Sequence, residues 1–419
     1  MLELTAGRTE RRARLAVALV FGTNGLVYAN LLPRFPQIKA DLALSNTELG
    51  LAVAAMPFAA LLAGLTAGPL IARFTSARVA SFGMVVIALG VVLVGFAPSW
   101  ALFATAMLLT GASDAVVDVA QNAHGLRVQR RYGRSILNSF HAVWSVGAVV
   151  GGLMGAAAAG AALPLPVHLG LSSLLSVLIA LAVYPLLLRG PDSDDRADAG
   201  PDADAAAGGE TAAAPSRPWS GLAPRTVLLL VVFGLIATSG TLVEDSGATW
   251  AAVYLQGLGA GAAVAGLGFV ALQGCQFVGR LIGDRMVDRF GQRAVARSGG
   301  GLVLAGMGLA LAFPSVPGTV AGFGVAGFGV ATLVPAAMTA ADHLPGLAPG
   351  TGLTIVTWLM RVGFLVSPPV VGVIADATSL RTGLLVVPVA GLTVLLAAGV
   401  LPRALARTGR AAGPGSPAT

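Results

Sequence analysis

The sequence predicts an all-α membrane protein: twelve transmembrane helices in two six-helix bundles (6+6), with both termini cytoplasmic. Three observations carry this. Of 419 residues, 56% are hydrophobic and only 11% charged, and mean hydropathy is +0.82; a soluble domain carries about a quarter charged residues. Apolar stretches of about 20 residues, enough to cross a hydrocarbon core of roughly 30 Å, recur twelve times. A polar, acidic interval splits them six and six.

The first stretch, 15–33, keeps Asn24 and Asn30 and lacks a small-residue cleavage site, so it reads as a span rather than a removed leader. The next five cover 47–71, 78–97, 100–126, 135–161 and 166–188, separated by short polar or Gly/Pro-rich breaks. Residues 190–224 then hold Asp192, Asp194, Asp195, Asp198, Asp202, Asp204 and Glu210 among Pro, Gly and Ala. Such a segment buries too little surface to order itself and is expected to be a flexible cytoplasmic linker. Spans at 226–251, 261–284, 294–313, 318–342, 351–374 and 383–402 follow. The division is therefore a bundle over 1–189, the linker over 190–224, a second bundle over 225–403 and a disordered tail over 404–419.

Basic residues set the expected orientation. With the N terminus inside, every Arg and Lys falls in an inner segment except Arg34, Lys39 and Arg381 outside and Arg361 within a span. That bias accounts for the pI near 10.6 without a nucleic-acid partner. One cysteine, Cys275, excludes a disulfide framework and a cysteine-based metal cluster. No phosphate-cradling loop is possible with Lys39 as the single lysine, so ATP drive is not intrinsic.

Ionisable residues inside spans are costly and mark functional positions. In the fourth span Asp114, Asp118, Gln121, Asn122 and Gly125 recur at helical spacing and are expected to share one stripe facing an aqueous path. In the fifth, Asn138, His141 and Ser145 share a face. Reflection through the basic loop near residue 130 brings Asp118 level with His141 and Asn122 level with Asn138. A carboxylate beside an imidazole can exchange a proton near neutral pH. Asp118, His141 and Asp114 are therefore candidates for proton coupling, and a fixed structural contact is the alternative. Asn122, Asn138 and Gln121 are substrate-binding candidates on the same faces.

The second half adds Glu244 and Asp245 in the seventh span and Arg361 in the eleventh. A lone intramembrane arginine needs an anion, either a carboxylate such as Glu244 or a substrate group. Glu244, Trp250 and Arg361 complete the substrate-binding candidates; Trp250, like Trp144 and Trp358, could stack on a planar ligand, although a tryptophan in a membrane protein is more often an interfacial anchor or packing filler.

The loop between the eighth and ninth spans carries Gly283, Asp284, Asp288, Arg289, Phe290, Gly291, Gln292 and Arg293. This resembles the Gly-x-x-x-Asp-Arg-x-Gly-Arg-Arg loop of the major facilitator superfamily, and the 6+6 plan is similar. The resemblance implies that Gly283, Asp284, Asp288, Arg289, Gly291 and Arg293 form a conformational-switch loop. The copy after the second span, Gly68 to Thr75, has Ala72 where the acid should stand. Within the superfamily the chain looks most like the fucose-permease-like branch, through Leu31-Leu32-Pro33-Arg34-Phe35, Asp118-Val119-Ala120-Gln121-Asn122, and Asn138-Ser139-Phe140-His141 with Gly147. That branch's first-span acid is replaced by Ala29. Gly147, Gly151, Gly152 and Gly155 match the drug-antiporter spacing without its proline, or serve close helix packing.

The expected function is secondary active transport of a small solute, sugar-like or a small organic acid, by alternating access and proton symport across the cytoplasmic (inner) membrane. Proton-antiport efflux of a drug-like compound is the runner-up. A membrane-embedded acid–base enzyme and a transporter-derived sensor are the readings from other classes. The expected partners are the solute, protons and the bilayer, with the chain a monomer holding no cofactor or metal.

Overall fold

The computed structural model describes residues 7–192, 223–344, 346–348 and 350–401. Most of the acidic linker and the tail over 404–419 lie outside the described residues. Among the described residues twelve helical segments are long and apolar enough to cross a membrane. We number them α1 (Arg8–Asp41), α2 (Asn46–Phe74), α3 (Ser76–Gly95), α4 (Trp100–Tyr132), α5 (Leu137–Gly160) and α6 (Leu165–Leu186). The second half supplies α7 (Pro224–Gly257), α8 (Ala262–Phe290), α9 (Gln292–Ala312), α10 (Val316–Asp342), α11 (Thr351–Ala377) and α12 (Leu380–Val400).

The helices outrun their apolar cores where local chemistry lets them. α4 continues through Arg127 and Arg131 to Tyr132, and stops where Gly133 takes φ +70°. α1 bends instead of ending. Pro33 has no N–H, so a 3-10 turn at Leu32–Arg34 joins its two parts, while Asn30 Nδ2 donates to the Leu26 carbonyl. α2 starts on a capping box: Ser45 Oγ accepts the Glu48 N–H at 3.1 Å and Glu48 returns a bond to the Ser45 N–H.

Packing repeats between the halves. α1 lies on α5 as α7 lies on α11, α2 on α4 as α8 on α10, and α3 on α6 as α9 on α12. A shared turn marks the same repeat. Gly291 between α8 and α9 has φ +83° and ψ 153°, and Thr75 between α2 and α3 has φ +74° and ψ 150°. Only glycine adopts that region without strain. The glycine stripe of α5 serves packing: a Cβ at Gly147, Gly151 or Gly155 would strike the backbone of Gly22, Leu26 or Asn30 on α1.

At the helix ends, Arg34, expected at the outer end of the first span, is 1% exposed and donates to the Leu163 carbonyl before α6 at 2.7 Å, and one sequence expectation is corrected. Asp192, expected in a featureless linker, caps α3: its carboxylate accepts the Ser76 N–H at 2.8 Å and the Ser76 hydroxyl. Buried Arg127 holds that carboxylate at 3.9 Å and donates to the carbonyls of Arg189 and Gly190.

Candidate functional site

The halves meet along α2 with α11 and α5 with α8. Close contacts between them lie toward the face opposite the basic loops, the far face. Asp376, near the end of α11, accepts the N–H groups of Asn46 and Thr47 at 2.9 and 2.7 Å and the Asn46 side-chain amide at 2.8 Å. The carboxylate thereby caps the positive end of α2 across the interface. Below it, Gly50 of α2 packs against the Pro368 backbone of α11, and Gly372 against Asn46. Gly160 and Gly266 bring α5 and α8 together at the same level.

Toward the basic face, the polar side chains of the two halves are open. Asp118, Asn138 and His141 are exposed although they stand within membrane-length helices. His141 of α5 and Arg280 of α8 are electrostatic neighbours, so these side chains face the opening between the halves, called the cleft. Asn122 Nδ2 donates to Asp118 Oδ1 at 3.0 Å, and His141 Nε2 lies 3.1 Å from Asn122 Oδ1. The amide's orientation follows from its partners. A carboxylate and the Asp118 carbonyl can only accept, so nitrogen faces them and oxygen faces the imidazole. His141 therefore carries its proton on Nε2. Asp118 and His141 are joined through Asn122, with Phe21 packed edge-on against the imidazole at 5.2 Å.

Higher in the cleft a second chain links three helices. Trp144 Nε1 of α5 donates to Asn24 Oδ1 of α1 at 2.8 Å, and Asn24 Nδ2 donates to Asp114 Oδ1 of α4 at 2.8 Å. Opposite, Glu244 of α7 accepts from Gln276 Nε2 of α8 at 2.9 Å and lies 3.7 Å from Arg280 Nη2. The partner of Glu244 is thus Arg280, not Arg361. Arg361 places its guanidinium beside Gly64 of α2, across the interface. Arg280, grouped by sequence with the inner basic residues, is 42% exposed within α8.

Two substrate-binding candidates do not reach the cleft. Gln121 is 1% exposed and lines a narrow crevice with Val17, Val20, Ala80, His124 and Leu187. Three residues beyond Asp118, it stands about 60° round the helix axis, on the flank of the stripe that α1 and α3 cover. Its amide still donates to Asp118 Oδ1 at 3.1 Å. Trp250 is 0% exposed and belongs to the apolar core.

The switch-loop residues lie at the α8–α9 turn. Gly283 is buried against Thr332, Arg289 stacks over Phe290 at 5.4 Å, and Arg293 Nε donates to the Leu401 carbonyl at 2.9 Å. Asp284 and Asp288 are exposed. Sequence reasoning missed Asn24, Tyr28, Gln276 and the role of Arg280. The reflection used for α4 and α5, applied to the hairpin at residues 258–261, would have placed Glu244 level with Gln276.

Two six-helix bundles packed along α2 with α11 and α5 with α8, with polar side chains open between them, have the plan of a secondary membrane transporter. The chain matches the Major Facilitator Superfamily over residues 17–286 and 245–417, and it belongs to that family. It is a multi-pass membrane transporter rather than an enzyme. Among curated proteins it is 29% identical to an uncharacterised transporter of Sinorhizobium fredii, over 92% of this chain and 97% of the relative. It is 30% identical to the membrane protein MosC of Rhizobium meliloti, over 91% of this chain and 88% of the relative. Among solved structures, the nucleoside transporter NupG superposes with a TM-score of 0.70 at 11% identity, over 94% of this chain and 98% of that one. A D-xylose–proton symporter superposes with a TM-score of 0.67 at 16% identity, over 94% and 98%. These two similarities establish the fold alone.

Proposed function

We propose that the chain is a proton-coupled symporter for a small polar solute, sugar-like or a small organic acid, in the cytoplasmic membrane, working as a monomer with both termini inside. The observation that carries the reading is the Asp118–Asn122–His141 chain, exposed at the foot of the cleft. An ionised Asp118 accepts from the amide. A protonated Asp118 gains an O–H donor, which competes with His141 for the Asn122 amide oxygen. Proton binding thereby alters how α4 and α5 are tied together. The orientation draws on the arginine bias, which puts the open end of the cleft on the cytoplasmic side. The likeness of Asp118 to Asn122 to the fucose-permease-like branch, and the fold shared with a D-xylose–proton symporter, support a sugar-like solute.

The test is solute-driven proton flux in proteoliposomes with a pH-sensitive dye inside. Adding a transported solute outside acidifies the lumen in the wild type, and Asp118→Asn abolishes that signal. Alkalinisation of the lumen on solute entry would establish antiport, the runner-up. Proton flux retained in Asp118→Asn would remove the coupling role.

A further inference from the structure

At the far face the last turns of α1, Phe35–Asp41, pack against α7, so the two halves also meet here. A pocket of about 460 Å³ lies between them. Pro36, Lys39 and Ala40 of α1 and Leu44 beyond its end form one wall, and Val253 and Gln256 of α7 form the other. Both helix ends are closed by backbone alone. The N–H groups of Leu42, Ala43 and Leu44 return to the carbonyls of Ile38, Ala40 and Lys39, and those of Leu258, Gly259 and Ala260 to Tyr254, Gln256 and Leu255. Neither the Lys39 ammonium nor the Gln256 amide is therefore needed as a cap. Lys39 is half-buried and Gln256 exposed, and among the described residues neither side chain takes a hydrogen bond or an ion pair. No carboxylate lines the pocket. Asp41, two residues on, stands about 200° round the helix from Lys39 and is the electrostatic neighbour of Arg34 instead.

We propose that this pocket binds a small aliphatic monoanion, and that the bound anion holds the far face closed. The ammonium meets the carboxylate, the Gln256 amide donates a second bond, and Pro36, Ala40, Leu44 and Val253 cover a short hydrocarbon chain. A cation would meet Lys39 with like charge, and a neutral solute would leave the ammonium without its counter-ion. One wall belongs to each half, so separating the halves at this face divides the pocket. The anion therefore binds the closed arrangement in preference to the open one, and that difference in affinity is what shifts the equilibrium toward closure. The site stands across the closed interface from the cleft, at the far-face ends of α1 and α7. An anion there slows transport without occupying the solute's place in the cleft.

The experiment titrates hexanoate, hexylammonium and hexanamide into the full chain in nanodiscs. Calorimetry reads binding, and spin labels at the far-face ends of α2 and α11, in a Cys275→Ala background, read closure. Hexanoate binds, while the cation and the neutral amide bind about tenfold more weakly or not at all. At saturation hexanoate moves the label distances toward the closed population. Lys39→Gln weakens hexanoate by about tenfold or more, and Lys39→Glu reverses the order so that hexylammonium binds better. Ala40→Trp, at an exposed position, fills the pocket and abolishes binding, and covers the case in which a charge variant fails to fold. Three probes binding alike, Lys39→Gln and Ala40→Trp both staying within about twofold of wild type, or hexanoate binding with no shift toward closure would each overturn the proposal. None of these readouts uses proton flux, so the pocket stands or falls apart from the coupling reading.

Discussion

Thr75 and Gly291 occupy the same turn in the two halves, and one is in the wrong residue type for it. A threonine at φ +74° and ψ 150° stores about 1–3 kcal/mol of backbone strain, and glycine there gives back about 0.5–1 kcal/mol in chain entropy. Thr75→Gly is expected to stabilise the protein by about 1 kcal/mol, read as a raised Tm in detergent; an unchanged Tm means the turn relaxes around the threonine. Asn122 supports a second prediction. Asn122→Leu keeps the volume and removes the link between Asp118 and His141, at about 1.4 kcal/mol, or tenfold, in the coupled rate. Uptake should flatten against pH while solute binding persists. A pH profile like that of the wild type would show that Asp118 and His141 act without the amide. Asp118 and His141 were legible because one short loop fixes the register of a hairpin. Gln121 was misplaced because the stripe is wide: Gln121 and Asn122 stand about 100° apart round the helix, the first turned to α1 and α3 and the second to His141.

At the scale of helices, α2 and α11 are joined by the Asp376 carboxylate, and α1 and α5 by glycines. Hydrogen bonds to a charged group are worth about 1.5–3 kcal/mol each in favourable settings. Asp376→Ala should therefore shift the population toward opening at the far face by about tenfold or more. Distances between spin labels at the far-face ends of α2 and α11, measured in a Cys275→Ala background, check this; an unchanged distance distribution would leave closure to the glycine contacts alone. Gly147→Val forces a branched side chain into the Gly22 backbone and should destabilise by about 1–3 kcal/mol or more, seen as loss of the monodisperse peak on size-exclusion chromatography. Asp376 carried no signal in the sequence, because its partners, Asn46 and Thr47, lie 330 and 329 positions away.

For the whole molecule, closure at one face and exposure at the other mean that transport must separate α2 from α11. A disulfide between Asn46→Cys and Asp376→Cys, in the same Cys275→Ala background, should stop uptake under oxidation and release it on reduction. Uptake that continues with the bridge formed would place the moving interface elsewhere. The halves repeat one packing plan, so an equivalent motion at the basic face would use the α8–α9 and α2–α3 turns, where Asp192 supplies to α3 the acid that Ala72 withholds.

The sequence by itself determined the number of spans, the six-and-six division and the transporter class, because apolar length, charge scarcity and the motif after α8 are local properties. It also determined the Asp118–His141 level, a consequence of one hairpin. Only the tertiary structure decided which face of each helix meets the cleft, that Glu244 belongs to Arg280, and that Trp250 is core. Those facts depend on the rotation of helices about their axes and on contacts between residues far apart in the chain. Hydropathy averages over that rotation and so leaves no trace of it.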